Sequence, residues 1–330
     1  MARLPDVRTV LLALADPADH RQPVIERAAQ VSAALGARIV LFHAAFDPFL
    51  TTGPLGGSKR MAQVRGRHVA GQIESLEKLA ASLRRRGLTV DVLVVWEEPA
   101  HEAIIRAAIR EKAQLIVAGP HQKRGDRYTT LRLTDWELLR MSAAPLLLVR
   151  SADGAKTSGA VLAALDPTHA KDKPAALDTA LALHGARMAD ALGVEFHVVH
   201  SVPLAAYAFD ETTPAARRAV RDERRRQLHA LLQKAGVSAH KIHVPEGEIE
   251  TTASRLATQL PAQLLVLGAI SRRGLKRFAV GNTAERIIHE APCDLLIIKP
   301  DGFRPRLGRV RKHEVILPAT TGIVSRSDVS

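Results

Sequence analysis

The chain has 330 residues, 46% of them hydrophobic, and a mean hydropathy of -0.02; with aromatics at only 3%, that is material for two domain-sized cores built from Ala, Leu, Val and Ile. Its formal net charge of +13 is spread along the sequence, and without aromatics to stack bases it lacks the make-up of a dedicated nucleic-acid binder, although salt-sensitive attraction to polyanions stays open. A single cysteine, Cys293, excludes an internal disulfide framework and any multi-cysteine metal site, and no apolar run nears the ~18 to 20 residues that cross a bilayer.

The first residues carry no signal-peptide pattern, so the chain reads as cytoplasmic. Val10 to Ala15 is an apolar run of strand length that ends at Asp16-Pro17. A helical segment from Pro23 to Leu35 meets Gly36, a residue that stops helices, and Ile39 to Phe42 predicts the second strand, closed by His43. Residues 47 to 58, rich in Pro, Gly and Thr, read as loop. A long helical pattern runs from Lys59 to Arg84-Arg-Arg86, where positive charge complements the helix dipole and Gly87 supplies the cap. Val90 to Val95 is a third strand, Pro99 to Lys112 a helix and Leu115 to Ala118 a fourth strand. Thr134 and Glu137 stand in capping-box spacing before another helix, and Leu146 to Val149 ends the unit.

The same order then repeats. Val161 to Leu165 ends at Asp166, and Ala175 to Leu192, Phe196 to Val199 and Pro214 to Lys234 follow as helix, strand and helix. Leu264 to Leu267 and Leu295 to Ile298 are the last apolar runs. Ala113-Gln-Leu-Ile-Val-Ala-Gly119 recurs as Ala262-Gln-Leu-Leu-Val-Leu-Gly268, 149 positions on, and Ala34-Leu-Gly36 recurs as Ala191-Leu-Gly193, 157 positions on. The chain is therefore a tandem duplication. Short apolar runs alternating with amphipathic segments predict, for residues 1–150 and again for 151–303, an α/β domain with a five-stranded, doubly wound parallel sheet. Ligands of such sheets sit beyond the carboxyl ends of the strands, where Asp166 and Gly268 both fall.

Gly268 to Glu285 reads as strand end, basic loop and capped helix. Asn282 and Glu285 have capping-box spacing, which starts a helix near residue 283. Its free N–H groups face a loop with Arg272, Arg273, Lys276 and Arg277. Such a loop suits either an anion such as a phosphate or a tight basic turn that binds nothing.

Those residues resemble a known family. The second copy is similar to a universal stress protein domain, whose nucleotide-binding members carry Gly-x2-Gly-x9-Gly-Ser/Thr; this chain has Gly268, Ser271, Gly281 and Asn282 at those places. With Thr134-Asp-Trp-Glu-Leu-Leu-Arg140, Gly281-Asn-Thr-Ala-Glu285 and Cys293-Asp-Leu-Leu-Ile-Ile-Lys-Pro300, residues 1 to about 303 resemble the tandem, E-type branch. The resemblance implies a cytoplasmic stress protein that supports survival of growth arrest and of oxidative or DNA-damaging conditions, with no established reaction. It implies ATP as the candidate ligand of the second copy alone, held by Asp166, Val202, Gly268, Ser271, Gly281, Asn282 and Thr283. Ser271 in place of glycine and Asn282 in place of Ser/Thr depart from the pattern. In the first copy Gln122 and Arg132 replace two motif glycines and only Gly119 remains, so that half is expected not to hold ATP.

The leading expectation is a non-enzymatic binding and regulatory protein whose halves pair as a pseudo-dimer and act through other proteins, with homodimerisation open. An ATP-binding switch with weak hydrolysis or autophosphorylation is the competitor, although no Walker lysine motif or acidic metal pair accompanies it; salt-sensitive DNA protection is the third reading. Cys293 fits a small core filler, and His43, His197 and His200, on strands, fit structural roles with no His/Glu spacing of the zinc type. Residues 304–330 read as a mobile basic tail, with Val315 to Leu317 as an alternative edge strand.

Overall fold

The computed structural model describes residues 6–50, 59–119, 133–150, 159–168, 175–203, 213–269, 282–305, 307–308, 314–316 and 324–325. The first half runs β1 (Thr9–Ala13), α1 (Pro23–Leu35), β2 (Arg38–Ala44), α2 (Lys59–Arg85), β3 (Val90–Trp96), α3 (Ala100–Arg110), β4 (Leu115–Ala118), α4 (Leu133–Met141) and β5 (Leu146–Leu148). The second half repeats it as β6 (Ala160–Ala164), α5 (Ala175–Leu192), β7 (Glu195–Val199), α6 (Pro214–Ala235), β8 (Lys241–His243), α7 (Ile249–Gln259), β9 (Leu264–Gly268), α8 (Asn282–Glu290) and β10 (Asp294–Ile298). Within each half the five strands are parallel, ordered β3-β2-β1-β4-β5 and β8-β7-β6-β9-β10. Two doubly wound parallel sheets in tandem are thus observed, as expected.

Strand alternation decides how the helices are used. Val10, Leu12 and Leu14 face one core and Leu11 and Ala13 the other, because successive side chains leave a strand on opposite faces. The first core is covered by α1, α2, α5 and α6, and the second by α3, α4, α7 and α8, so both cores run through the two halves. Cys293, 2% exposed, lies in the second core as a packing residue. Gly36, Gly193 and Gly236 end their helices at φ of 65°, 65° and 73°, the left-handed geometry that glycine adopts without a Cβ penalty. The arginines after α2 are held within the fold, Arg84 donating to the Val90 carbonyl at 3.0 and 2.6 Å and Arg86 pairing with Glu26 at 2.8 Å. One local difference appears at α4, which starts a residue before Thr134 and so puts that threonine in the first turn, a shift within the usual fraying of helix ends.

The halves meet edge to edge. β5 pairs antiparallel with β10 in the register Leu148–Leu295, Leu147–Leu296 and Leu146–Ile297, joining the two sheets into one. Leu147 and Leu296 are the same position of the repeat, so a local two-fold passes between them and each half offers the other the same strand. The symmetry is broken by charge. Arg27 on α1 donates through Nε to Asp294 Oδ2 at 2.9 Å and through Nη1 to Gln263 Oε1 at 3.0 Å, while Asp294 Oδ1 accepts the Arg150 amide at 2.8 Å. The side chains of Arg27 and Asp294 are 2% and 0% exposed. At the repeat-equivalent positions stand His184 and Pro145, so this ion pair exists on one side of the axis only.

Of residues 304–330, expected as a mobile basic tail, only 304–305, 307–308, 314–316 and 324–325 are among the described residues, and some of these contact the first half. Gly308 N–H donates to Glu102 Oε2 at 3.1 Å and its carbonyl accepts from Arg106 at 2.7 Å, which lays the backbone on α3. Beyond it β11 (Glu314–Ile316) pairs antiparallel with β3 and with β12 (Val324–Ser325). The alternative edge strand is therefore formed: backbone groups on the outer side of β3 gain partners, which a bare edge would lack.

Removing one member of a buried ion pair strands the other, so Arg27→Met is expected to lower unfolding stability by about 3 to 5 kcal/mol in urea melts. Asp294→Asn should cost nearly as much, and the double variant clearly less than the sum, in a double-mutant cycle. His184, partly exposed but packed among apolar groups, has its pKa pushed down from the ordinary value to about 4, by burial first, against the attraction of Asp301. The folded state therefore keeps it neutral while the unfolded chain takes up a proton below about pH 6.5, so this contribution is complete above that pH and lost as pH falls toward 4. His184→Gln should flatten the decline between pH 7 and 4.5 by roughly 2 to 3 kcal/mol, measured as ΔG of unfolding at both pH values.

Candidate functional site

In each half the strand order reverses between the first and fourth strands, which opens a crevice beyond their carboxyl ends. In the second half Ala163 pairs with Val266, so the chain leaves β6 and β9 side by side and brings Asp166 and Gly268 to the same rim. Asp166 is fixed from both ends: its amide donates to Asp178 Oδ1 at 2.9 Å, and its own Oδ1 accepts from Thr168 Oγ1 at 2.6 Å and Thr168 N–H at 3.1 Å. His200, just past β7, lies 3.9 Å from Asp166 Oδ1 and donates from Nδ1 to the Leu165 carbonyl at 3.1 Å. Burial lowers its pKa, against the pull of Asp166, so the neutral imidazole presents Nε2 as an acceptor at the rim.

Val202 stands in the same neighbourhood with its backbone already used. Its amide donates to Pro245 and its carbonyl accepts from Gly247, both at 2.9 Å, which prolongs the β7–β8 pairing beyond the strands. Nearby, Glu246 holds Arg217 at 3.4 Å and also Arg221, both from α6. Gly268 has a local reason to be glycine: a Cβ there would come within 2.9 Å of Leu177 Cδ2 on α5. Ser271 and Gly281 lie outside the described residues. Asn282 and Thr283 open α8, whose N-terminus follows the loop from Gly268, and nothing more of their side chains is described. Just past β10, Lys299 has its Nζ 5.1 Å from the Phe303 ring centre and its pKa lowered to about 8 by burial.

The first half differs at one decisive place. His43 donates from Nδ1 to Leu14 at 2.9 Å as His200 does to Leu165, and Leu14 N–H bonds to Phe42 as Leu165 N–H bonds to Val199. Leu14 therefore matches Leu165, and the residue matching Asp166 is Ala15, with Asp16 one position further on. Both histidines have the structural role expected of them, clamping the end of the first strand. A cavity of about 190 Å³ lies at this rim, lined by Ala15, Ala44, Ile104, Thr134 and Asp135 among others. It is smaller than the ~300 to 1,000 Å³ typical of small-molecule pockets and largely apolar. Asp135, buried and set in the first turn of α4, was not among the residues that the sequence pattern singled out, because only its place at the crevice distinguishes it.

The comparisons with known proteins agree with this geometry. The sequence pattern described as the Universal stress protein family matches twice, at residues 7–150 and 159–299. Universal stress protein E of Escherichia coli K12 is 30% identical over 305 residues, which cover 89% of this chain and 95% of that protein, and the Photorhabdus laumondii protein of the same name is 27% identical over 302. Among solved structures, a protein of Pseudomonas aeruginosa PAO1 described as functionally unknown superposes with a TM-score of 0.66 at 22% identity, covering 89% of this chain and 93% of its own. A universal stress protein from Archaeoglobus fulgidus follows with 0.58 at 17%, covering 88% and 98%. With the family pattern spanning both halves, the chain belongs to the universal stress protein family as a tandem, E-type member.

Proposed function

We propose that this protein is a cytoplasmic, non-enzymatic binding and regulatory protein that supports survival under stress, with residues 1–150 and 151–303 acting as two domains of unequal ligand capacity. The second domain would take an adenine nucleotide and the first would not. The observation that carries this reading is the register difference at the rim: Asp166 stands beside the reversal point in the second domain, and Ala15 takes that place in the first. A carboxylate there is suited to accept from ribose hydroxyls, and the N-terminus of α8 from the other side is suited to phosphates. Asp166, Gly268, Ser271, Gly281, Asn282 and Thr283 would form the seat. Val202, with amide and carbonyl both engaged, would contribute packing to the adenine more than a backbone hydrogen bond. The paired halves would work as an internal pseudo-dimer that presents the loaded domain to protein partners.

Hydrolysis finds less support than binding. Asp166 Oδ1 already accepts two bonds from Thr168, which suits a positioning carboxylate better than a general base. Many of the arginines that give the chain its positive charge are spent on acidic neighbours, as with Arg38 on Asp91 at 2.6 Å, Arg86 on Glu26 at 2.8 Å and Arg226 on Glu223 at 2.6 Å, which weakens the case for a polyanion surface.

Freshly purified protein, denatured and analysed for released nucleotide, and calorimetric titration with Mg-ATP test the reading directly. Wild type should bind one equivalent, Asp166→Ala and Gly281→Arg should each weaken binding roughly tenfold or more, as loss of charged hydrogen bonds or an obstructed phosphate seat requires. Ala15→Leu should leave it unchanged. Gly268→Ala is unsuitable for this purpose, since the contact with Leu177 is expected to cost about 1 to 3 kcal/mol of stability by itself. Undiminished binding in both site variants, or no binding by wild type, would remove the proposed seat.

A further inference from the structure

At the opposite end of the second sheet, away from the nucleotide rim, β7 and β8 bring four side chains together. Glu195 and His197 are two residues apart on β7 and share a face. β8 runs parallel beside it with His197 opposite Lys241 and Val199 opposite His243, and the bend before β8 is fastened by the His240 amide donating to the Phe196 carbonyl at 2.7 Å. The result is a tight cluster. His197 Nε2 lies 2.9 Å from Glu195 Oε2, His240 Nε2 lies 3.3 Å from Glu195 Oε1, and His243 Nε2 lies 2.9 Å from His197 Nδ1. The His197 ring has the His240 ring beside it, centroids 5.3 Å apart and planes 28° apart, and meets His243 edge to edge through the hydrogen bond, centroids 5.2 Å apart and planes 13° apart. Sequence spacing treated His197 as a lone strand histidine; the register of β8 shows that it is the centre of a group.

We propose that Glu195, His197 and His240 form a binding site for a divalent transition metal of the Zn2+ class. Their donor atoms all lie within 4.8 Å of one another. Metal–ligand bonds of about 2.0 to 2.2 Å in a tetrahedron separate the ligand atoms by roughly 3.3 to 3.6 Å, so closure around an ion needs only small side-chain rotations. His197, at 4% side-chain exposure, is the anchored ligand, while Glu195 and His240, at 54% and 58%, can turn and leave a fourth position to water. Two imidazoles and a carboxylate favour zinc over magnesium or calcium, which prefer oxygen donors alone. His243 is the positioning residue: Nε2–H of His197 donates to Glu195, and with an ion on Nε2 the ring proton would sit on Nδ1, where His243 Nε2 accepts it and holds the ring in place.

The first half shows what the cluster replaces. Arg38, at the place of Glu195, reaches from β2 across to Asp91 on β3 and clasps those strands with a direct ion pair, and β11 then covers β3. β8 is three residues long, and its only strand partner among the described residues is β7. A bound ion bridging β7 to the turn before β8 would fasten it in the same sense.

Metal-free wild-type protein titrated with Zn2+ in the calorimeter should bind one equivalent and gain thermal stability that EDTA removes; Co2+ in its place should give a visible d–d band of low-symmetry, four-coordinate type. His240→Ala and Glu195→Gln, both at exposed positions that leave the fold intact by circular dichroism, should each weaken Zn2+ roughly tenfold or more. His243→Leu should weaken it by about 10- to 100-fold and His243→Gln, which keeps an acceptor, should restore much of the loss. His20→Ala serves as the unaffected control. Absence of a stoichiometric Zn2+ site in the folded wild type, or affinity unmoved in both His240→Ala and Glu195→Gln, would overturn the proposal.

Discussion

The arrangement of the whole chain depends on the pairing of Leu146–Leu148 with Leu295–Ile297. Each half of the molecule, taken alone, would end in an apolar edge strand with unpaired backbone groups on its outer side, a surface that invites association. Joining the two edges antiparallel satisfies those groups and merges the helical layers above and below. Because the meeting strands are the same position of a repeat, the match needs no new surface; any element complementary to itself across a two-fold can make it. The buried pair of Arg27 and Asp294 then selects one arrangement from the near-symmetric alternatives, since a slip along the seam would leave a guanidinium or a carboxylate in the core without its partner.

That one-sidedness extends to the rest of the molecule. The half that supplies Arg27 has the covered outer edge, the Arg38–Asp91 clasp and Ala15 at its rim. The half that supplies Asp294 has the histidine cluster at its outer edge and Asp166 at its rim. Duplication produced two copies of one scaffold, and the copies now differ in their polar groups both at the rim and at the opposite end of the sheet. Both copies still fasten the end of strand one with a histidine from the end of strand two.

How much of this was legible in the sequence follows from the range over which each feature is encoded. Most strands and helices, their glycine stops and the duplication are written locally, in runs of a few residues, and were recovered from Val10, Gly36, Gly87, Gly193 and the Ala113–Gly119 repeat, whereas the short strands β8 and β12 were not delimited. Features that need strand register were not. Arg27 and Asp294 are 267 positions apart, and nothing near either one announces the other. The Glu195–His240 group looks like two unrelated fragments until β8 is laid beside β7. Asp16 and Asp166 look equivalent because each precedes proline, yet the hydrogen bonds of Leu14 and Leu165 show a one-residue difference that turns a carboxylate into a methyl group at the rim.

The motif glycines illustrate the opposite hazard, where a local pattern is legible but overdetermined. Gly268 belongs to the nucleotide motif of the family and Gly119 stands at its place in the half where Gln122 and Arg132 have replaced the other two. A Cβ on Gly119 would lie 3.0 Å from the Val149 carbonyl and 3.3 Å from Val24 Cβ, just as one on Gly268 would meet Leu177. Both contacts are with the helix layer of α1 and α5 or with the neighbouring strand, and both would arise with no ligand present. Close packing of a helix over the end of the fourth strand therefore requires glycine there in either half. The first motif glycine says that the fold is intact, and the proposed difference in ligand capacity between the halves rests instead on Gly281 against Arg132 and on Asp166 against Ala15.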